Sequence, residues 1–279
     1  MRRVSRLLPL LVLAAGGCDW YHYHAGHFFE DTGRYPSAID AYETYARLRP
    51  GDPKAAETLV RAARIYSGHF RRCLEARRLY EDALRRFPSA EPWATEARAG
   101  LLSCPDYFPL DTSRAWVYGD TASQGRNMRL EWEMRVSSGP GRGEIVAALF
   151  AGNKRVSARS VFFEKRDWSV WEVDGGHRTP ILKYPFVSGT AWSGKRGFGK
   201  VEFLIESDAA RAVTAAGTFT DCLKVREVDV RFPGSWKYEY YAPGVGRVKT
   251  TVGGKGYENP NTELLKYGLT AEDGLKMVK

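Results

Sequence analysis

The sequence contains little that could cross a lipid bilayer. The apolar run at residues 7–15 has about half of the roughly 20 residues that a transmembrane helix needs. Arg2, Arg3 and Arg6 precede this run, and small residues follow it up to Cys18. We therefore predict that residues 1–17 are a secretory signal rather than a membrane-spanning helix.

The sequence also lacks a run of basic residues. The formal net charge is +9, from 42 basic and 33 acidic side chains, and three of the basic residues lie in the signal. Residues 19–104 contain 13 basic and 12 acidic side chains, and residues 105–279 contain 26 and 21. Because the remaining excess is spread among acids, nucleic-acid binding is not expected.

Catalytic motifs are missing as well. Residues 194–200 have the Gly-x4-Gly-Lys spacing of a phosphate loop, but Val201 replaces the hydroxyl residue that holds magnesium. No Gly-x-Ser-x-Gly motif accompanies His177, and no His-Glu-x-x-His pair occurs. His22, His24 and His27 do not form a metal site in this interpretation, because helical residues two apart point about 200° away from each other. We predict a protein that is not an enzyme and has no cofactor.

The signal resembles that of bacterial lipoproteins. In that family a leucine-like residue and small residues precede the cysteine that receives the lipid, and here Ala15-Gly16-Gly17 precede Cys18. The resemblance implies a mature chain that begins at an acylated Cys18, with palmitate-type chains that anchor it in the cell envelope facing the periplasm. Asp19 resembles the inner-membrane retention signal of enteric bacteria, a rule that transfers poorly to other lineages. We expect the outer membrane rather than the inner one.

Residues 18–104 have helical periodicity and an internal repeat. The segment Ala38-Ile39-Asp40-Ala41-Tyr42-Glu43 with Pro50 recurs 38 residues later as Ala76-Arg77-Arg78-Leu79-Tyr80-Glu81 with Pro88. This resembles the 34-residue tetratricopeptide repeat, whose pattern the first copy follows at Gly26, Phe29, Gly33, Ala38, Tyr42 and Pro50. The second copy has four additional residues, which we place near Ser67-Gly68-His69. The resemblance implies two helix pairs and a closing helix at residues 90–103.

The same resemblance implies a groove that binds an envelope protein partner. The positions carried over for partner binding are Tyr23, His27, Glu30, Lys54, Glu57, Arg61 and Arg64. Their spacing places each set on one helix face. A solvated surface is the alternative for the charged set. Trp20 also falls on a groove position, but we prefer to place it at the headgroup depth of the membrane, as for interfacial aromatic residues.

Three cysteines follow Cys18. Cys73 lies fifteen residues before Pro88 and Cys104 sixteen after it, so both fall at the same end of a helix hairpin that turns at Pro88. In an oxidising compartment they would form a disulfide, the alternative being two buried thiols. Cys222 is interpreted as a small buried apolar residue.

From residue 105 onwards the pattern changes to strands. Met128, Leu130, Trp132, Met134 and Val136 alternate with charged residues, and further candidate strands are separated by glycine-rich turns. Three segments resemble an uncharacterised envelope β domain of unknown function: Tyr107-Phe108-Pro109-Leu110 with Trp116, residues 216–225 and residues 240–249. The resemblance implies a fold and a compartment without an activity.

The predicted fold class is thus α+β with two domains. An all-α, tetratricopeptide-like domain at residues 18–104 precedes an antiparallel all-β roll, half-barrel or sandwich at residues 105–256. A tail at residues 257–279 contains a short helix at residues 262–267. The predicted function is that of a non-enzymatic interaction or scaffold protein anchored through Cys18. The alternative is a periplasmic carrier that holds an acyl chain or another apolar ligand among the aromatic residues of the β domain.

Overall fold

The computed structural model describes residues 17–110, 114–136, 141–197 and 199–269. The chain divides into two compact units, and the boundary between them falls between Cys104 and Pro105. We call them the helical unit and the β unit. The predicted signal lies outside the described residues except for Gly17. Of the helices that the described residues form, none is both long and apolar enough to cross a membrane.

The described part of the helical unit, residues 17–104, forms five helices. They are α1 (Gly17–Asp31), α2 (Tyr35–Leu48), α3 (Lys54–Gly68), α4 (Cys73–Arg86) and α5 (Trp93–Leu102). Glycine permits two close approaches between them. A Cβ atom on Gly26 would lie 2.5 Å or less from two atoms of the Tyr42 ring, and one on Gly100 would collide with Tyr80 in the same way. A small residue opposite an aromatic ring therefore sets the distance between neighbouring helices.

The prediction of tetratricopeptide repeats is wrong. In that family the first helix of each pair lines an open groove. Here Glu30 and Tyr23 of α1 are joined to Arg61 and Glu57 of α3, so the corresponding positions form a surface of fixed charges in place of an open groove. Val60, which occupies a small-residue position of the repeat, is fully buried in the core of the unit. Ser67 and Gly68, near which the additional residues of the second copy were predicted, belong to α3. The connection between α3 and α4, residues 69–72, is one residue longer than the connection between α1 and α2, residues 32–34.

The predicted disulfide is present. Cys73 is the first residue of α4, Cys104 lies two residues after α5, and their Cα atoms are 5.1 Å apart. The prediction of this pair is confirmed. A loop with this sequence separation of 31 residues corresponds to roughly 3 to 4 kcal/mol in the chain-entropy estimate.

The strands that the structure describes in the β unit form one twelve-stranded sheet. Its strands are β1 (Arg114–Asp120), β2 (Met128–Val136), β3 (Arg142–Ala151), β4 (Lys154–Arg166), β5 (Ser169–Asp174), β6 (His177–Lys183), β7 (Ala191–Arg196), β8 (Gly199–Thr214), β9 (Gly217–Asp229), β10 (Ser235–Ala242), β11 (Gly246–Gly254) and β12 (Tyr257–Leu269). Their order is β6-β5-β4-β3-β2-β1-β12-β11-β10-β9-β8-β7, with antiparallel neighbours throughout. Among the strands in the described ranges, only the pairing of β1 with β12 joins strands that are distant in sequence.

The two edges of this sheet meet. The Thr179 hydroxyl of β6 donates a hydrogen bond to the Lys195 carbonyl of β7 at 2.7 Å, and the Trp192 indole N–H donates to the Pro180 carbonyl at 2.6 Å. Side-chain bonds thus link the two strands that end the sheet. The result is a nearly closed antiparallel barrel.

The predicted class of this half is therefore also wrong. A roll, half-barrel or sandwich would leave sheet edges apart, whereas this sheet curls until β6 reaches β7. Residues 262–267, predicted as a tail helix, belong to β12, which pairs with both β1 and β11. Leu264, at the centre of that strand, is fully buried. The described part of the predicted tail, Tyr257–Leu269, is a strand of the barrel, because it pairs with both β1 and β11.

Candidate functional site

The seven residues predicted to bind a partner lie together in the helical unit. We call this surface the polar face. It consists of Tyr23, His27 and Glu30 on α1 and Lys54, Glu57, Arg61 and Arg64 on α3. Residues three and four apart share one side of a helix, so each helix contributes a continuous stripe.

Glu57 is the first centre of the polar face. Its carboxylate accepts hydrogen bonds from the Tyr23 hydroxyl at 2.9 Å and from Arg61 Nε at 2.9 Å. His27 Nε2 lies 3.5 Å from the same carboxylate. The side chain of Glu57 is only 15% exposed. One carboxylate therefore joins α1 to α3.

Glu30 is the second centre. It accepts hydrogen bonds from the Tyr42 hydroxyl of α2 at 2.6 Å and from Arg61 at 3.0 Å. Arg64 lies 3.4 Å from Glu30 and donates to Glu96 of α5 at 2.8 Å. The charged stripes are thus held in fixed positions by one another and by neighbouring helices.

The protonation states of the polar face follow from this geometry. Burial raises the pKa of Tyr23 to about 12, and its hydrogen bond to Glu57 adds to the effect. Burial and the Arg61 charge lower the pKa of His27, so its imidazole is neutral at pH 7. Burial alone would raise the pKa of Glu30, but hydrogen bonds from Tyr42 and Arg61 hold it below its ordinary value. Tyr23 therefore acts as a hydrogen-bond donor, and Glu30 is an anion.

Aromatic rings surround these charges. The Lys54 ammonium lies 4.8 Å from the centre of the Tyr23 ring, and the Arg61 guanidinium lies 5.6 Å from the centre of the Trp93 ring. Such cation–π contacts orient the basic groups without neutralising them. Tyrosine, tryptophan and arginine are also the residue types enriched in the centres of protein interfaces.

Three further residues that contact the polar face, Tyr42, Trp93 and Glu96, were not predicted from the sequence to do so. Tyr42 was assigned to helix packing, and its ring does pack against Gly26, but its hydroxyl reaches Glu30. Trp93 and Glu96 lie on α5, which was interpreted only as a closing helix. Extending the stripe to α5 would have identified both residues.

The start of α1 has a different character. Cys18 lies in its first turn, and the next residue, Asp19, is buried and bound by Arg49. The hydrogen bond from Arg49 and that from the Trp20 backbone lower the pKa of Asp19. Trp20 is 65% exposed and packs against His24 with their ring centres 4.4 Å apart. Asp19 therefore stabilises the helical unit, and Trp20 faces outwards.

The histidines of α1 point in different directions. The His27 ring lies 5.5 Å from the Tyr42 ring, measured between ring centres, whereas His24 packs against Trp20 with the two rings tilted by 49°. Across the ranges that the structure describes, no cluster of three metal-ligating side chains occurs.

The β unit contains a second, more deeply buried ionic cluster, which we call the inner network. Glu239 accepts hydrogen bonds from the Tyr241 hydroxyl and from Arg247, and Lys237 lies 3.2 Å away. Lys237 also lies 2.8 Å from Glu227, which accepts a hydrogen bond from Arg196. Burial opposes ionisation of Glu239, yet the Lys237 and Arg247 charges hold its pKa well below the usual value. The network is an alternation of cations and anions across neighbouring strands.

The aromatic residues of the β unit contact one another. Phe108 lies 4.7 Å from Phe163, Phe163 lies 5.9 Å from Trp132, and Trp132 lies 5.3 Å from Tyr118, measured between ring centres. Arg247 lies 4.3 Å from the Trp132 ring centre. An acyl chain held among these aromatic residues would have to displace rings that are already packed against each other and against a guanidinium group. The carrier alternative stays a prediction.

Other residues singled out from the sequence have structural positions. The phosphate-loop-like segment forms the end of β7 and the start of β8, where Arg196 pairs with Gly199 across a hairpin; Phe198 lies outside the described residues. His177 begins β6 and is exposed. Cys222 is buried, and burial raises the pKa of its thiol to about 11, which disfavours the reactive thiolate.

Comparisons with known proteins add little to this description. No family model matches the chain, and no curated protein matches it. Among solved structures, a Bacteroides fragilis protein described as exported, with a YmcC-like fold, has 16% identity and a TM-score of 0.40. A Parabacteroides distasonis protein described as a lipoprotein has 15% identity and a TM-score of 0.40. Each match covers 58% of this chain and 98% of the other. At these scores the two matches decide neither fold nor function.

Proposed function

We propose that this chain is a lipid-anchored protein of the bacterial cell envelope whose helical unit binds a protein partner through the polar face. The signal ending at Cys18 supports the anchoring. The Cys73–Cys104 disulfide supports export, because disulfides persist in oxidising compartments. The buried, Arg49-bound Asp19 is poorly placed to act as an inner-membrane signal, which favours the outer membrane.

The observation that carries the binding proposal is the state of Arg61. Its guanidinium is fixed by Glu57 and Glu30 and lies over Trp93, yet 24% of its side chain stays exposed. Arg64 beside it is 46% exposed. Basic groups that are fixed before binding lose little conformational entropy when a partner docks, and interface hot spots are enriched in such residues.

The binding proposal predicts which basic residues matter. Replacing Lys54 and Arg64 with alanine removes two positive charges from the polar face and leaves Arg61 bound to both glutamates. We expect crosslinking of the full-length protein to its partner in intact membranes to fall about tenfold or more, as for hot-spot residues. Circular dichroism of the purified variant should be unchanged.

A matched control lies on another surface of the same unit. Arg78 and Arg85 line a cleft of about 850 Å³ between α2, α3 and α4 and are 70% and 77% exposed. Their replacement with alanine also removes two positive charges, and we expect it to leave the crosslink unchanged. Loss of the crosslink in this control alone would move the binding site to the cleft and refute the polar face.

The anchor is tested separately. Labelled palmitate should be incorporated into the wild-type chain and not into a Cys18→Ser variant, and most of that variant should leave the membrane fraction. Density-gradient fractionation then separates outer from inner membrane. An unlabelled wild-type chain, or a Cys18→Ser variant that stays fully in the membrane fraction, would disprove the anchoring.

A further inference from the structure

Helix α1 has an exposed side that the helical unit does not cover. We call it the aromatic face; it consists of Trp20, Tyr21, His24 and Phe28. Trp20, Tyr21 and Phe28 are 65%, 59% and 58% exposed, and His24 is exposed as well. At 3.6 residues per turn, these four positions fall within an arc of about 100°. They therefore form one stripe along the helix.

The opposite side of α1 packs against the rest of the unit. Asp19 is buried there against Arg49, and Gly26 lies against the Tyr42 ring. The orientation of α1 about its own axis is thus fixed by packing, and the aromatic face points away from the unit. Single exposed aromatic residues are common, but three grouped on one stripe mark an interaction surface.

We propose that the aromatic face lies flat on the lipid bilayer beside the anchored Cys18. This rests on the lipidation proposed above, because Cys18 is in the first turn of the same helix. Acyl chains on Cys18 hold that turn at the membrane. Phe28 is ten residues further on, about 15 Å along the axis at 1.5 Å per residue. An upright helix would leave Phe28 in water, whereas a helix parallel to the surface places all three aromatic rings at headgroup depth.

The charges of α1 indicate whether attraction to anionic lipid or burial of apolar groups holds the aromatic face on the bilayer. Along the aromatic face the ionisable groups are His24 and, at the end of the helix, the exposed Asp31. This stripe contains no lysine or arginine that would attract anionic lipid. Contact through the aromatic face therefore depends on apolar and aromatic burial, and salt should weaken it little.

The orientation can be measured on the full-length lipidated protein in vesicles of phosphatidylethanolamine and phosphatidylglycerol. Tyr21→Cys and Phe28→Cys are each labelled with a fluorophore, and Glu81→Cys on α4, a position 52% exposed, is the control. Cys73 and Cys104 are paired and Cys222 is buried, so the introduced thiol is the reactive one. Lipids with brominated chains should quench the labels at 21 and 28 to a similar extent, and several-fold more than the label at 81.

Two results would overturn the proposal. If the label at position 21 is quenched but the label at position 28 is quenched no more than the control label, helix α1 stands upright on the membrane. Unquenched labels at both positions in vesicle-bound protein would mean that another occupant covers the aromatic face. If Phe28→Cys then forms a disulfide-linked dimer, that occupant is a second copy of this chain.

A second measurement separates the aromatic face from the anchor. In the full chain with Cys18→Ser, residual vesicle binding should fall roughly tenfold further when Trp20, Tyr21 and Phe28 are all changed to serine. If the residual vesicle binding of the Cys18→Ser chain does not fall after the three substitutions, the aromatic face does not contribute to membrane binding, whether or not Cys18 is acylated in the wild-type chain. If mass spectrometry finds no acyl chains on the wild-type protein, the anchor is disproved instead. The vesicle-binding comparison would still test the aromatic face, because it uses chains without acylated Cys18.

Discussion

The two units contain ionic networks of similar composition in different environments. In the polar face, Glu30 and Glu57 are 15% exposed and Arg64 is 46% exposed. In the inner network, Glu239 is 8% exposed and Arg247 is 18% exposed, whereas Lys237 and Arg196 at its margin are 32% and 35% exposed. The same residue types can therefore form a surface available to a partner in one unit and a buried network that links strands in the other. The two networks differ in how far water reaches their carboxylates.

This difference sets the expected energies. A buried charge that loses its partner remains desolvated and uncompensated, which is costly. A half-exposed charge that loses its partner is rehydrated, so the cost is small and salt reduces it further. Removing one charge from the inner network should therefore lower the unfolding free energy several-fold more than removing one charge from the polar face.

The largest effect is expected from Glu239→Gln. The change keeps the shape of the side chain but leaves Lys237 and Arg247 without their shared carboxylate. We expect the β unit to lose about 3 to 5 kcal/mol of unfolding free energy, the usual cost of breaking a buried pair. Urea unfolding followed by tryptophan fluorescence measures this, since six of the eight tryptophans lie in the β unit.

The matched control for that experiment is Glu202→Gln. Glu202 pairs with Lys200 on neighbouring exposed positions, and its side chain is 56% exposed. The control should change the unfolding free energy by less than about 0.5 kcal/mol. Equal effects of the two substitutions would mean that the inner network is hydrated, and the contrast between the units would disappear.

The second largest effect concerns the helical unit, which has a covalent link in place of a buried charge network. Replacing both Cys73 and Cys104 with alanine should lower its unfolding free energy by roughly 3 to 4 kcal/mol. Thermal unfolding followed by far-ultraviolet circular dichroism at the helical signal measures the change. A Cys222→Ala variant controls for the loss of a buried sulfur atom elsewhere. A double variant as stable as the wild type would show that helix packing alone is sufficient.

Local patterns predicted the local features of this molecule. Alternating apolar and charged residues gave β2 its observed bounds, Met128–Val136. The distances of Cys73 and Cys104 from Pro88 gave the disulfide. The residues of the polar face were implied by the resemblance to the tetratricopeptide repeat, and helical spacing placed each set on one helix face. Each of these inferences depends on residues that are close in sequence or related by one turn of the chain.

The missed features depend on residues that are far apart. The pairing of Tyr118 with Leu264 joins β1 to β12, and no local pattern specifies such a partner. The closure of the sheet depends on Thr179 reaching Lys195, which follows from accumulated twist and curvature. The inner network is not specified by the local pattern either, because a glutamate that alternates with other residues has the same pattern on either face of a closed sheet. Residues 262–267 were predicted as a helix because nothing in the nearby sequence identifies a strand with which they pair.

A smaller effect is expected from Glu57→Gln in the polar face. The substitution weakens the hydrogen bonds from Tyr23 and Arg61 but leaves Glu30 to neutralise Arg61. We expect a loss of about 1 to 2 kcal/mol at low salt and less in molar salt. Glu81→Gln, at a 52% exposed position next to Arg77, is the matched control and should have almost no effect. A loss that does not change with salt would mean that the polar face is as dry as the inner network.

The smallest expected effect is a pH dependence that arises from His27. Burial and Arg61 depress its pKa in the folded state below the ordinary 6.5, with Glu57 and Glu30 partly opposing the shift. Between that depressed pKa and 6.5 the unfolded chain binds more protons than the folded one, so stability rises with pH. The contribution is fully present above pH 6.5 and is lost as the pH falls. His27→Gln should flatten the dependence of the helical unit's urea midpoint in this window. A slope that survives His27→Gln would mean that the pH dependence arises from another group and that the polar face does not depress the pKa of this histidine.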